Sequence, residues 1–254
     1  MSRSNILHTE AVVLRSIDFS ETSKIVTFFT LERGKMGVIA KGARATKSRF
    51  GSTLEPMNQI SVVIHCKEGR DLQILSEASH VQHHNTLRSS LDRMETGLRI
   101  IELMNALMQS DQKNEKVFSL LISSLTALDI APGRTTNLWP FFQLRLASIL
   151  GFEPAFESDI VKLMETEAGV LDLKSGRIAS QSDAGFVAVR SSRKVLRAFA
   201  VLARATLSDV MRMELDGATA AEVESLVASY LRHHVEDQYP TRSARVFAQL
   251  APDG

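Results

Sequence analysis

Five short runs of alternating polarity crowd the first eighty or so residues: HTEAVVLRSI, SKIVTFFT, KMGVIAKG, MNQISVVIHC and DLQILSEAS. Each mixes β-branched or aromatic residues with a period of two, the pattern of a strand that buries one face. The connections carry turn chemistry. DFSET has turn and capping residues, ERGK a tight glycine turn, and KEGRD a short glycine-containing hairpin loop. Five antiparallel strands in this length match an OB-fold β-barrel, a closed sheet whose face and loops often bind single-stranded nucleic acid. An SH3-like barrel satisfies the same strand count.

From Asn85 the periodicity changes from two to three and four. LRSSLDRMETGLRIIELMNALM places Leu87, Leu91, Met94, Leu98, Ile101, Leu103 and Met104 as an amphipathic helix would. EKVFSLLISSLTALD predicts a second helix stopped by Pro132 and Gly133, and TTNLWPFFQLRLASILGF a third, with Pro140 in its first turn and Gly151 at its end. VLDLKSGRIASQ predicts a small hairpin around Ser175 and Gly176. SSRKVLRAFAVLARATL and TAAEVESLVASYLRHHVE return to helical spacing, the latter opened by Thr219 with Glu222 as a capping box. The fold class is therefore α+β: a five-stranded OB-fold barrel over residues 1–82, then a mainly helical domain over 83–254 with an irregular insertion at about 153–190. With 44% hydrophobic residues in 254, the chain can bury a substantial core.

Charge is distributed unevenly along this frame. The net charge is +1, which excludes a wholesale basic protein, yet no acidic residue interrupts the chain from Arg33 to Leu54 while Arg33, Lys35, Lys41, Arg44, Lys47 and Arg49 all fall there. KGARATKSRFGSTLEP, between the third and fourth strands, carries Gly42, Ser48, Gly51 and Pro56 and reads as a loop. A solubilising surface intersperses both signs, so a one-signed stretch beside a nucleic-acid fold points to phosphate binding rather than to a solvated loop. The acidic DFSET loop, by contrast, is not an obvious contact.

Catalytic patterns are absent: there is no GxxxxGK[ST], GxGxxG after a strand, GxSxG or HExxH. No paired carboxylates at a recognisable spacing support a metal-dependent nuclease, so a non-enzymatic, cofactor-free role is expected. His80, His83, His84, His233 and His234 lack the cysteine pair or fixed spacing of a zinc site and read as solvated junction residues. Cys66 is the only cysteine; its neighbour His65 points to the opposite face of a strand, so a buried structural thiol is expected rather than a dyad. The same alternation sends one of Phe28 and Phe29 into the barrel and the other to its outer surface, where base stacking is conceivable but core packing is the stronger expectation. The first residues lack a signal-peptide pattern and no run of about 18 apolar residues occurs, which predicts a cytoplasmic protein with no membrane contact.

The residues 20–56, SETSKIVTFFTLERGKMGVIAKGARATKSRFGSTLEP, resemble the N-terminal domain of the RecO family of DNA repair proteins, in which SE(T/S), a strand, FT, a glycine turn, KGAR, a basic stretch and an L-x-P ending follow in this order. LGFEP at 150–154 looks like the family's LG(F/Y)xP, and YPTRSARVF at 239–247 looks like its KxLKSRxF tail. Many members carry a four-cysteine zinc site after LG(F/Y)xP. Here ESDIVKLMETEAGVLDLKSGRIASQSDAG has no cysteine, so no metal is expected and Ile160, Val161, Val170, Leu171 and Ile178 must hold the segment by packing.

The resemblance implies a recombination mediator that binds single- and double-stranded DNA, anneals complementary strands and, with RecR, helps load RecA onto DNA coated by single-strand-binding protein, with use of RecF left open and nucleoid association when bound. It assigns DNA binding to the stretch holding Lys35, Lys41, Arg44, Lys47 and Arg49. The acidic, aromatic-ended tail of single-strand-binding protein would need an apolar pocket rimmed by arginine in the helical domain, for which Arg145, Arg193, Lys194 and Arg197 are candidates. The alternative is an OB-fold RNA-binding module in RNA metabolism. Five or six engaged cations predict a slope of log affinity against log salt of roughly −3.5 to −4 on single strands.

Overall fold

The computed structural model describes residues 5–82, 84–131, 135–155, 166–181, 185 and 187–240. Strands β1 (Asn5–Phe19), β2 (Ser23–Thr30), β3 (Gly34–Ala40), β4 (Gln59–Cys66) and β5 (Leu72–Gln82) close a barrel in the order β1-β2-β3-β5-β4. All pairings are antiparallel except β3 with β5. This is the OB-fold. One strand closes it: the first part of β1 pairs with β4, the rest with β2, and the register shifts between Val13 and Arg15 where β1 passes from one neighbour to the other.

Alternation fills the barrel from every strand, with Val13, Val26, Phe28, Met36, Val38, Ile60, Val62, Ile64, Cys66 and Leu75 among its core. One phenylalanine of the pair points inward as expected, and it is Phe28. Phe29 points outward but is also fully buried, its ring stacked at 6.3 Å on Phe118, so neither phenylalanine has a free face for a base. Phe118 lies on α2 (Glu115–Ile130), which with α1 (Leu91–Leu107) belongs to the same compact unit as the barrel; the chain divides after Ile130. The first helix begins later than its hydrophobic pattern, because Leu87–Ser89 is a single 3-10 turn and Ser90 is extended.

Ala131–Tyr239 form the second unit. It holds α3 (Leu138–Ile149), a three-stranded antiparallel sheet of β6 (Ala168–Asp172), β7 (Ile178–Ala179) and β8 (Ala188–Ser192), and the helices α4 (Arg193–Arg204), α5 (Leu207–Arg212) and α6 (Gly217–Val235). The expected hairpin at Ser175–Gly176 is present; Asp172 accepts from the main-chain N–H groups of Lys174 (3.3 Å) and Ser175 (3.2 Å) and shapes its turn. Val170, Leu171 and Ile178 are buried, whereas Ile160 and Val161 lie outside the described residues, as does most of the YPTRSARVF stretch. The core runs through Phe142, Phe199 and Tyr230, and the Tyr230 hydroxyl donates to the Phe152 carbonyl at 2.9 Å; burial, then the nearby Asp172, pushes its pKa up to about 12.

Two local expectations are corrected. Helix α6 starts two residues before Thr219: Asp216 is the cap, accepting from the Thr219 N–H at 2.9 Å, so Thr219 and Glu222 form no capping box. An Asp immediately before Gly-Ala outcompetes a threonine already inside the helix. A capping box occurs instead at Thr206 and Asp209 on α5.

The solvated reading of the histidines also fails. His84 is 3% exposed, with Nδ1 3.8 Å from Asp129, because the chain leaving the barrel passes beneath α2. His234 is partly buried and stacks on Phe152 at 4.8 Å; His83 lies outside the described residues. Among the described residues no cluster of His, Cys, Asp or Glu is placed to hold a metal, and no helix is long and apolar enough to cross a membrane.

Candidate nucleic-acid interface

The basic segment leaves β3 at Lys41 and reaches β4 through a succession of turns. Its polar residues alone would leave it a loose loop. Phe50 and Leu54 change that, because both sink into the barrel core, and Ala43 packs against the same cluster. Asn58 donates its side-chain amide to the Ser52 (2.8 Å) and Thr53 (3.2 Å) carbonyls, tying the turns to the start of β4. The segment is thus a plug with its apolar side chains inward.

Its cations consequently face outward. Lys41, Arg44, Lys47 and Arg49 are all exposed. The Arg49 guanidinium lies 5.0 Å over the Phe50 ring, a cation–π contact that fixes its direction without neutralising it. Arg44 is held hardest. Its main-chain N–H donates to the Thr22 carbonyl at 3.0 Å, its Nη1 to the Ser20 carbonyl at 2.6 Å, and its Nε lies 3.2 Å from the Asp18 carboxylate. Lys24 sits 3.9 Å from the same carboxylate. The acidic first loop therefore acts as a local counter-ion that docks the basic segment onto the β1–β2 hairpin.

Lys35 is placed differently. It is the second residue of β3 and Lys41 follows the strand's end, and six residues of extended chain put about 20 Å between them. Its ammonium donates to the Asn105 carbonyl at 2.8 Å in the last turn of α1, where a cation meets the helix dipole, and burial pulls its pKa below the usual lysine value. Arg33 at the same end pairs with Asp111 at 2.6 Å. The six-cation run is split in two: four residues come together on the plug, and two lie at the start of β3 with partners on α1 and in the segment that follows it.

The helical-domain candidates divide as well. Arg145, on α3, donates to the Ala205 carbonyl just past α4 and lies 5.5 Å over Phe141, a packing role. Lys194 bonds Asp216, the cap of α6. Arg193 and Arg197 are exposed on one face of α4 with Val201 and Arg204 a turn further along.

What the sequence reading missed is the anchoring: Phe50 and Leu54, four apart in an otherwise polar stretch, were the available signal. The hairpin contribution of Asp18 and Lys24 had no signal, since it is made across the fold.

Comparison with known proteins agrees with this architecture. Residues 1–84 match the family model described as Recombination protein O N terminal, and residues 88–243 that described as Recombination protein O C terminal. The chain is similar to the DNA repair protein RecO of Salinibacter ruber, 47% identical across 98% of this chain and 96% of that one. It is 30% identical to that of Chloroherpeton thalassium, over 96% and 99% of the two chains, and 31% identical to that of Anaeromyxobacter dehalogenans, over 95% of each.

Proposed function

The chain belongs to the recombination protein O family of DNA repair proteins, and we propose that it binds single- and double-stranded DNA through the plug surface of Lys41, Arg44, Lys47 and Arg49 and anneals complementary strands there. The observation that carries the reading is the pairing of outward cations with inward anchors: four exposed charges on a segment that Phe50 and Leu54 hold rigid. Two single strands repel through their phosphates, and a fixed array of cations lowers that barrier without nucleotide hydrolysis. Phosphate contacts carry no base identity, so annealing is sequence-independent. With Lys35 committed to α1, four cations give a salt slope of about −3 on single strands.

Family membership supports the wider setting, in which the protein works with RecR to help load RecA onto DNA coated by single-strand-binding protein. Arg193 and Arg197, exposed on one face of α4, are the cations suited to that protein's acidic tail, whereas Arg145 and Lys194 act mainly within the fold.

The test is annealing of two complementary, quenched-fluorophore oligonucleotides coated with the cognate single-strand-binding protein, without ATP or metal. The wild type accelerates pairing, and Arg44→Glu/Lys47→Glu/Arg49→Glu, still folded by circular dichroism, does not. No acceleration by the wild type overturns the annealing reading; equal acceleration by both proteins moves the site off the plug. A folded RNA hairpin as competitor separates an RNA-binding module, which would prefer it to DNA.

A further inference from the structure

The β1–β2 hairpin beside the plug carries side chains that phosphate binding leaves unexplained. Ile17 and Phe19, two residues apart, share the outer face of β1 and are 39% and 47% exposed. Scattered apolar residues on a surface need no explanation, but these continue a row. Ile17 pairs with Ile25 on β2, Ile25 with Ile39 on β3, and Ile39 with Ile74 on β5, so side chains of one kind stand side by side across four strands. None of the four belongs to the barrel core. Phe19 is the aromatic end of this row.

Its surroundings are cationic. Phe19 stands between Asp18 and Ser20, and Arg44 contacts both of those neighbours while its guanidinium keeps an exposed edge. Lys41, two residues beyond Ile39 at the end of β3, continues the row's side, whereas Lys24 projects with its partner Asp18 from the opposite face of the hairpin. A flat apolar ring at the edge of a hairpin whose opposite face holds a fixed cation complements an unpaired nucleotide, which presents a π face and a phosphate together. A duplex hides its ring faces inside the stack and presents phosphates alone.

Resting on the DNA-binding reading above, we propose that Phe19, with Ile17 beside it, is a base-stacking platform that makes this interface favour unpaired strands over duplex. The strand runs with phosphates on Lys41, Arg44 and the plug and with a base over Phe19. During annealing the platform holds an unpaired base until its complement arrives and releases the product once its bases stack on one another.

The experiment compares wild type, Phe19→Ala and Phe19→Trp by fluorescence anisotropy on three labelled ligands of equal length: an oligo-dT strand, an abasic strand with the same phosphates, and a blunt duplex. Phe19→Ala is expected to lose roughly 5- to 100-fold in affinity for oligo-dT and less than about twofold for the abasic strand and the duplex. Phe19→Trp retains oligo-dT binding, and its emission is quenched by oligo-dT but not by the abasic strand; Trp139, the single native tryptophan, is buried and supplies a constant background. Unchanged oligo-dT affinity in Phe19→Ala overturns the platform while wild-type binding to all three ligands leaves the phosphate reading standing, and it assigns the row to a protein partner instead. An equal loss on the abasic strand also overturns it, since Phe19 would then only shape the hairpin. Wild type that binds none of the three removes both readings.

Discussion

The two ends of β3 receive cations from one uninterrupted run of sequence and use them in opposite ways. At its start, Arg33 is paired with Asp111 and Lys35 closes the last turn of α1. At its end, Lys41, Arg44, Lys47 and Arg49 stand exposed on a segment nailed down by Phe50 and Leu54. The difference lies in what the strand meets. Helix α1 ends over the start of β3 and brings unsatisfied carbonyls that a lysine can serve, whereas the plug satisfies its own backbone and keeps its cations exposed, Arg44 while paired with Asp18. A cluster of charge in sequence is thus a supply of cations, and the tertiary neighbours decide which are structural.

The contrast can be broken most forcefully at Gly34. Its φ of +68° already favours glycine, and a Cβ there would overlap the Gln112 carbonyl, so this end of β3 depends on a backbone approach that no side chain permits. Gly34→Ala should cost about 3 kcal/mol, seen as a thermal midpoint lower by roughly 5 °C or more. An unchanged midpoint would mean that the approach is not rigid.

Lys35→Met and Lys47→Ala sharpen the contrast as a pair. Losing the Lys35 ammonium strands the Asn105 carbonyl and should cost about 2 kcal/mol with DNA affinity unchanged. Lys47→Ala should leave stability within about 0.5 kcal/mol and make the salt slope on single strands shallower by about 0.7. Equal losses of DNA affinity in the two variants would erase the division of β3.

The smallest effect concerns a group that gives up its charge on burial. Burial pushes the His84 pKa below its ordinary value of 6.5, although Asp129 beside it pulls the other way and Arg88 adds to the lowering. The unfolded chain then binds the proton more readily. His84 accordingly contributes stability that is fully present above about pH 6.5 and is lost as pH falls towards the depressed folded value. Chemical denaturation between pH 7.5 and 5.5 should show this decline, and His84→Gln should flatten it; an unchanged profile in the variant would remove His84 as its source.

Much of this architecture was legible in the chain. The strands are visible because each buries one face, which writes a period of two into SKIVTFFT and QISVVIHC, and the helices because LRIIELM and VFSLLISSL write a period near 3.6. The exact caps were not, because Asp216 and Thr219 both suit a helix start and only the packing of α6 selects between them.

The site divides along the same line. The sequence by itself determined that five strands would form, that a one-signed segment would join the third to the fourth, and that Cys66 would be buried, since these rest on residues close together in the chain. Only the tertiary structure decided that Phe29 lies under Phe118, that His84 is buried, that Asp18 holds Arg44, and that Lys35 bonds the last turn of a helix. Each of those outcomes depends on a partner far away in sequence. Local periodicity records which face of an element is buried, but not what covers that face or which distant carbonyl or carboxylate a cation will find.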